Sequence, residues 1–311
     1  MADTSNSKLD LVTIGNVSID TIKIEGSRTY TRPGGSAAAV STSAAACGLR
    51  TGIFSRVGRD FKKTWLNELR LHGVDTSGII TRKSSPRFEL HYNSKGDLLN
   101  FNEIFNSEDN LTHSDIPSHY LRTQHIHLSA AHPKTQMKYL SYKSLKNATI
   151  SVALWPAYES EYDGTFVKML KNVHVLFCNN HEAKMLAHED NIYDAVKKIK
   201  GPDVIVLTKG SKGSAIYHNG KFHLFPAPRT STIDRTGCGD SFAGGFLAEY
   251  LQSGNVEKAG WTGVTTASFT LNKMGSWFPR EVTQDKITQR ISLAKNYSEM
   301  NVKKGTLLDF L

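Results

Sequence analysis

Between residues 125 and 208 the chain repeats one pattern: a short apolar run, then a helical stretch. The runs are His125–Leu128, Thr149–Leu154, Val173–Cys178 and Val204–Thr208. Helical stretches at 134–146, near 163–170, from His181 and at 192–200 separate or follow them. Short, nearly unbroken apolar runs suit strands buried on both faces. A helix between successive strands brings the chain back to start the next strand in the same direction. The pattern therefore predicts an α/β fold, a doubly wound, mostly parallel sheet flanked by helices. Leu9–Ile14 and Gly52–Ser55 read as further strands, and 36–47 and Phe61–Leu71 as further helices. Gly210–Leu224 reads as an antiparallel edge pair, and helices near 239–252, 256–273 and 283–300 follow.

Two segments interrupt the alternation. Thr21–Thr31 is strand-like, and Phe88–Tyr92 and Leu98–Glu103 alternate around Asn93-Ser94-Lys95-Gly96-Asp97, a hairpin signal. They are expected to form a small β lid, from about 20–33 and 86–105, over the C-terminal strand ends where ligands bind in open α/β sheets. With no repeat or long linker, residues 1–311 are expected to form a single domain.

Composition narrows the function classes. A chain with 39% hydrophobic and 22% charged residues is ordinary for a soluble protein. No run of 18 apolar residues marks a membrane span. The polar stretch Met1–Ser7 lacks a secretory core, so a cytoplasmic location is expected. Cys47, Cys178 and Cys238 are too scattered for a disulfide framework or a metal site. The twelve histidines include no helix pair with a partner carboxylate, and His125 and His127, alternating on a strand, are read as structural or surface residues. The net charge of +9 comes from dispersed basic residues without interleaved aromatics. That dispersal speaks against nucleic acid, and a small anionic ligand such as a nucleotide suits the charge equally well.

The chemistry concentrates at Asp234-Arg235-Thr236-Gly237-Cys238-Gly239-Asp240, just before a helix. Two glycines around a small residue let several backbone N–H groups converge, and the helix N-terminus adds partial positive charge. Gly237, Cys238 and Gly239 would form an anion hole. Asp240, at its rim, could take a proton from a hydroxyl. Anion hole plus base is the minimum kit for moving a phosphoryl group onto an alcohol. A bare tight turn before a helix has the same spelling. Neither familiar phosphate loop fits: Phe242 stands where a dinucleotide fingerprint needs a third Gly or Ala, and no Gly-Lys-Ser/Thr occurs. Cys238 is read as a small residue and not as a nucleophile.

With its neighbours, this turn resembles the ribokinase-like (phosphofructokinase B) carbohydrate kinase family, over about residues 10–300. Four further segments match in order: Gly15–Asp20, Pro33-Gly34-Gly35, Asn179-Asn180-His181-Glu182 and Thr208-Lys209-Gly210-Ser211-Lys212-Gly213. Arg56–Asp60 also looks like the family's glycine-aspartate turn. The resemblance implies an ATP-dependent kinase acting on a sugar or related polyol, with Asp240 as general base. Asp20, Asn16 and the Gly34-Gly35 backbone would bind the acceptor. Asn179, Thr208, Lys209, Gly210, Gly213 and Arg235 would face the nucleotide, and Glu182 would hold Mg²⁺ through water. The adenine would pack near Thr265–Gly275. A potassium ion often accompanies such sites, and Asp234 and Ser276 are placed for one. A homodimer is within the family's range.

The chain also departs from the family pattern. The turn usually reads Asp-Thr-x-Gly-Ala-Gly-Asp, so Arg235 and Cys238 are substitutions. Ala39 stands where an acceptor-binding Asn is usual, and Leu154-Trp155-Pro156 replaces Asp-Pro-Asn. The first lid section is short. These features put a ribose-type pocket and a lid-mediated dimer in question. A nucleoside kinase is the main alternative, favoured if Phe88, Tyr92 or Phe101 stand over the acceptor. An acidic sugar, met by Arg235 and Arg87, and a non-catalytic sugar- or nucleotide-binding regulator are the others.

Overall fold

The computed structural model describes residues 8–94, 98–105, 111–145, 147–155, 161–162 and 164–302. The stretch Met1–Ser7, the hairpin tip 95–97 and Pro156 of the Leu154-Trp155-Pro156 match lie outside the described residues. In chain order the elements are β1 (Leu11–Ile14), β2 (Ser18–Ile24), β3 (Tyr30–Gly34), α1 (Ser36–Ala46), β4 (Thr51–Gly58), α2 (Lys63–Leu71), β5 (Ile79–Arg82), β6 (Arg87–Tyr92) and β7 (Leu98–Phe105). There follow β8 (His125–Leu128), α3 (Pro133–Leu140), β9 (Thr149–Ala153), α4 (Gly164–Met169), β10 (Val175–Asn179), α5 (Asn180–Ala187), α6 (Ile192–Lys198) and β11 (Val204–Thr208). The last are β12 (Ser214–His218), β13 (Lys221–Phe225), α7 (Cys238–Ser253), α8 (Val256–Thr270) and α9 (Gln284–Val302).

The main sheet runs β13-β12-β11-β10-β9-β8-β1-β4-β5. Pairing is parallel from β5 to β11, and β12 and β13 add antiparallel at one edge. The expected doubly wound sheet is therefore present. Strand order reverses between β1 and β8: β4 and β5 extend to one side, β9 to β11 to the other. Alternating side chains feed two cores. Val12 and Ile14 join a core with Phe166, Leu186 and Val196 from α4, α5 and α6. Leu11 joins the opposite core with Val40, Phe242, Phe246 and Ile287 from α1, α7 and α9.

The second sheet has the order β3-β2-β6-β7. Thr21–Thr31 is thus two strands, not one. The chain turns at Gly26, whose φ of 72° suits a residue without a side chain. The strand expected at 52–55 extends over Thr51–Gly58 with every residue buried. The edge strand β5 was not expected, because a four-residue run beside a polar loop carries little pattern. The helix expected over 134–146 ends at Leu140; Ser141 Oγ donates to the Lys138 carbonyl at 2.6 Å and competes with its continuation. A short 3₁₀ turn follows at Lys143–Leu145, and residue 146 lies outside the described residues. Among the described residues no helix is long and apolar enough to cross a membrane.

Candidate active site

The glycine turn starts α7 at the N-terminus. Gly237 is the N-cap residue, with φ 75°, and no side chain caps the helix. The first-turn N–H groups of a helix have no partner inside it. A Cβ on residue 237 would lie 2.4 Å from Ser276 Cβ, so only glycine fits both the conformation and the space. Asp234 secures the turn from the other side. Its Oδ1 accepts from the Thr236 N–H at 2.9 Å and the Thr236 hydroxyl at 2.6 Å, and its Oδ2 accepts from the Gly275 N–H at 2.8 Å. The Tyr92 hydroxyl meets Thr236 Oγ1 at 2.8 Å, tying β6 of the small sheet to the same turn. Burial pushes the Cys238 thiol up to about 12, with Asp234 and Asp240 adding to the effect. It is therefore a thiol and not a thiolate nucleophile at neutral pH.

Asp240 is the third residue of α7. Burial raises its carboxyl to about 7, and the charge of Asp20 raises it further. Asp20 lies inside β2, level with Phe88 of β6, and is 4% exposed. Burial also raises its carboxyl to about 7, against the lowering effect of Ser18, whose hydroxyl donates to Oδ1 at 2.6 Å; Asp234 adds repulsion. The two acids share one electrostatic neighbourhood, Asp20 from the small sheet and Asp240 from the first turn of α7. Gly34 belongs to it: a Cβ there would lie 1.8 Å from Asp20 Oδ2, so the carboxylate rests on bare backbone. The Trp277 indole N–H donates to the Gly34 carbonyl at 3.1 Å.

On the far side of the turn lies a cleft of about 500 Å³. Cys238, Gly239, Arg235, Thr208, Gly210 and Gly213 line it, as does an apolar wall of Val264, Ala267 and Leu271. Of the residues expected to face a nucleotide, Thr208, Gly210, Gly213 and Arg235 line this cleft and Asn179 does not. Lys209 sits in the same turn, with its N–H on the Gly213 carbonyl at 2.8 Å, but does not line the cleft.

Asn179 and Glu182 form a capping box on α5. Asn179 Oδ1 accepts from the Glu182 N–H at 2.9 Å, and Glu182 Oε2 accepts from the Asn179 N–H at 2.7 Å. Glu182 is 3% exposed in the first turn of α5, and Asn179 ends β10, which pairs with β11 so that Asn179 is level with Thr208. One buried carboxylate fits a magnesium ion that keeps its own waters and phosphate ligands, not a protein cage. Among the described residues no group of three acids, histidines or cysteines could hold a metal.

Other residues fall away from the site. Arg87 Nη2 pairs with Asp60 Oδ2 at 2.6 Å, and Asp60 also holds Ser85, so Arg87 is engaged in anchoring β6 to the Gly58–Asp60 turn. That removes one of the two cations invoked for an acidic acceptor. His125 and His127 are buried, and both meet Ser151 Oγ, at 3.1 and 2.9 Å. Sequence reasoning gave no weight to Trp155, which packs on Phe88 and Phe101, or to Ser129 and Gln136, which line a small buried cavity. Trp155 was noted only as a departure from a motif, and no spacing marks the other two.

A helix N-terminus opened by a glycine turn, a half-buried acid in its first turn and a second, buried acid electrostatically coupled to it suit a phosphotransferase with an alcohol acceptor. The model of the pfkB family carbohydrate kinases matches residues 5–282, and the chain belongs to that family. It is 34% identical over 278 residues to a cytidine kinase of Thermococcus kodakarensis, covering 86% of this chain and 98% of that protein. Among solved structures, the nucleoside kinase of Methanocaldococcus jannaschii superposes with a TM-score of 0.77 at 23% identity, covering 93% of this chain and 100% of that one. A ribokinase II from E. coli described with ATP and Mg²⁺ superposes with a TM-score of 0.76 at 18% identity, covering 92% of this chain and 99% of the other. These two likenesses establish the fold.

Proposed function

We propose that the protein transfers the γ-phosphoryl group of ATP to a hydroxyl of a nucleoside, with Asp240 as general base. This reading inverts the order of the two acceptors weighed from sequence. The observation that carries it is an aromatic trio facing the site. Phe88 and Phe101 stack at 5.4 Å between centroids, Phe88 and Trp155 at 6.1 Å, and Phe101 and Trp155 lie 4.9 Å apart. Phe88 is level with Asp20 on the adjacent parallel strand, so both side chains project from the same face of the small sheet. A polyol needs carboxylates; a nucleobase also needs a flat apolar surface. The kinship with a cytidine kinase supports the same acceptor class.

In this mechanism Asp20 and the Gly34-Gly35 backbone orient the acceptor sugar, with Asn16 nearby. Asp240 removes the proton from the attacking hydroxyl as its oxygen bonds to the γ-phosphorus and ADP departs. The N–H groups of Gly237, Gly239 and Asp240 meet the charge that builds on the transferring group, while the Cys238 N–H closes the turn on the Arg235 carbonyl at 3.3 Å. Arg235, Thr208, Gly210 and Gly213 contact the rest of the nucleotide from the cleft, Lys209 supports their turn, and Asn179, level with Thr208 on the adjacent strand, stands beside it. Glu182 would hold the water shell of Mg²⁺, which neutralises phosphate charge. A potassium ion would meet Ser276, whose buried Oγ has no hydrogen-bond partner; Asp234 already accepts three donors.

The test is ADP release with Mg-ATP across nucleosides, free pentoses and hexoses, using Asp240→Asn as the blank. Turnover of a nucleoside well above that blank, and above every free sugar, is expected. A free sugar turned over faster than any nucleoside would overturn the acceptor assignment.

A further inference from the structure

Three buried polar atoms without hydrogen-bond partners belong to residues that line one small cavity. They are Asn16 Oδ1, Ser129 Oγ and Gln136 Oε1, on residues 5%, 0% and 1% exposed. The cavity has a volume of about 10 Å³. Asn16 follows β1 and Ser129 follows β8, so it lies where the strand order reverses. Ligands of open α/β sheets bind at that crevice. Buried polar atoms are nearly always paired, and three unpaired ones around one space require an occupant.

The occupant's chemistry follows from the atoms. Gln136 Nε2 donates to the Ser129 carbonyl at 3.0 Å and the Ala153 carbonyl at 2.8 Å. Turning the amide over would set its oxygen against both carbonyls, so Oε1 is the atom left for the cavity. The Gln136 amide oxygen accepts only, and the Asn16 amide and the serine hydroxyl adapt to it. The occupant must therefore donate. A space this size takes one water-sized group, an amine or a hydroxyl, but not a ring. Arg56 lines the same cavity and brings N–H donors alone. A donor beside an acceptor is the edge pattern of an aminopyrimidine or 6-aminopurine, and an oxo base in the same position reverses it. The cavity is also close to the aromatic trio, since Gln136 is bonded to Ala153, two residues before Trp155.

Resting on the nucleoside reading above, we propose that this notch receives the exocyclic amino group of the acceptor's base and selects amino bases over oxo bases. Asn16, Ser129 and Gln136 are then specificity-determining residues. A ribose hydroxyl has the same donor chemistry, but Asp20 is the group assigned to it.

The experiment measures kcat/KM with cytidine, uridine, 2′-deoxycytidine, adenosine and inosine, for the wild type, Gln136→Leu and Ser129→Val. Thermal melts confirm that each variant is folded. Ser129→Val fills the notch without touching the Gln136 bonds to backbone, so it keeps the test valid if Gln136→Leu unfolds. The wild type is expected to favour cytidine over uridine, and adenosine over inosine, by about 10-fold or more. Both variants should bring these ratios to near one. Equal turnover within each pair by the wild type would overturn the proposal and leave the kinase reading intact; the notch would then hold only water. Variants that lose discrimination against 2′-deoxycytidine while keeping the amino preference would also overturn it, and assign the notch to a ribose hydroxyl. Phosphorylation of no nucleoside at all would overturn the acceptor reading itself, and this inference with it.

Discussion

Asp240 and Asp20 are raised to about 7 chiefly by burial, with like-charge repulsion adding to it. A base must be ionised to accept a proton, so kcat/KM should climb as pH rises through about 7 and level off above it. Asp240→Asn should lower kcat by about 10²–10⁴-fold, the usual share of a positioned base. A variant within threefold of wild type would remove Asp240 from the mechanism. The same shift has a stability consequence of opposite sense. Between the unfolded carboxyl value of 3.8 and about 7 the folded protein holds protons that the unfolded chain has lost. Stability from these groups is therefore fully present below 3.8 and is lost as pH rises through about 7. Asp240→Asn should raise the melting temperature by a few degrees at pH 8, with the gain shrinking towards pH 4. Activity and stability move apart because burial tunes the base. The sequence exposed Asp240 through its place after two glycines. It could not show the unpaired atoms of Asn16, Ser129 and Gln136, because whether a polar atom finds a partner is decided only when distant strand ends meet.

Elements hold this chemistry in place through their ends. The turn before α7 depends on Gly237, where a side chain would meet Ser276 and the φ of 75° disfavours any other residue. Gly237→Ala should destabilise the protein by roughly 1–3 kcal/mol and lower kcat at least about 100-fold, since the N–H groups would no longer converge. Chemical denaturation and steady-state kinetics would check both effects; an alanine variant with normal kcat would mean that the turn's shape does not matter to the reaction. The strand-helix alternation made the central sheet readable, because buried parallel strands have a distinctive apolar run. Short edge and lid strands were less readable. Residues 21–31 spell one strand-like stretch, and only the reversal at Gly26 divides it. The Asn179–Glu182 pair shows why a motif and a cap are hard to separate by sequence. The structure makes it a capping box, and the same buried carboxylate still fits a water-bound magnesium.

At the scale of the whole molecule, the proposed acceptor site draws its residues from two sheets. Asp20 comes from the small sheet, Asp240 from the helix behind the large one, and Tyr92 bonds across to the glycine turn. The aromatic trio has the same composite origin: β6 supplies Phe88, β7 supplies Phe101, and Trp155 follows β9. No local pattern could group residues 88, 101 and 155, because their proximity exists only after the small sheet has folded over the large one. That arrangement makes Trp155 the residue to test, since it is the one member held by the large sheet. Stacking of a base on an aromatic ring contributes about 1–3 kcal/mol, so Trp155→Ala should raise KM for a nucleoside about 10–100-fold. In the proposed mechanism the reacting hydroxyl is held by Asp20 and Asp240, so kcat should fall by less than threefold. Initial-rate kinetics on a folded variant separate the two parameters. A fall in kcat at unchanged KM would instead mean that the trio serves to seat the small sheet over the active site, and that the base is bound elsewhere.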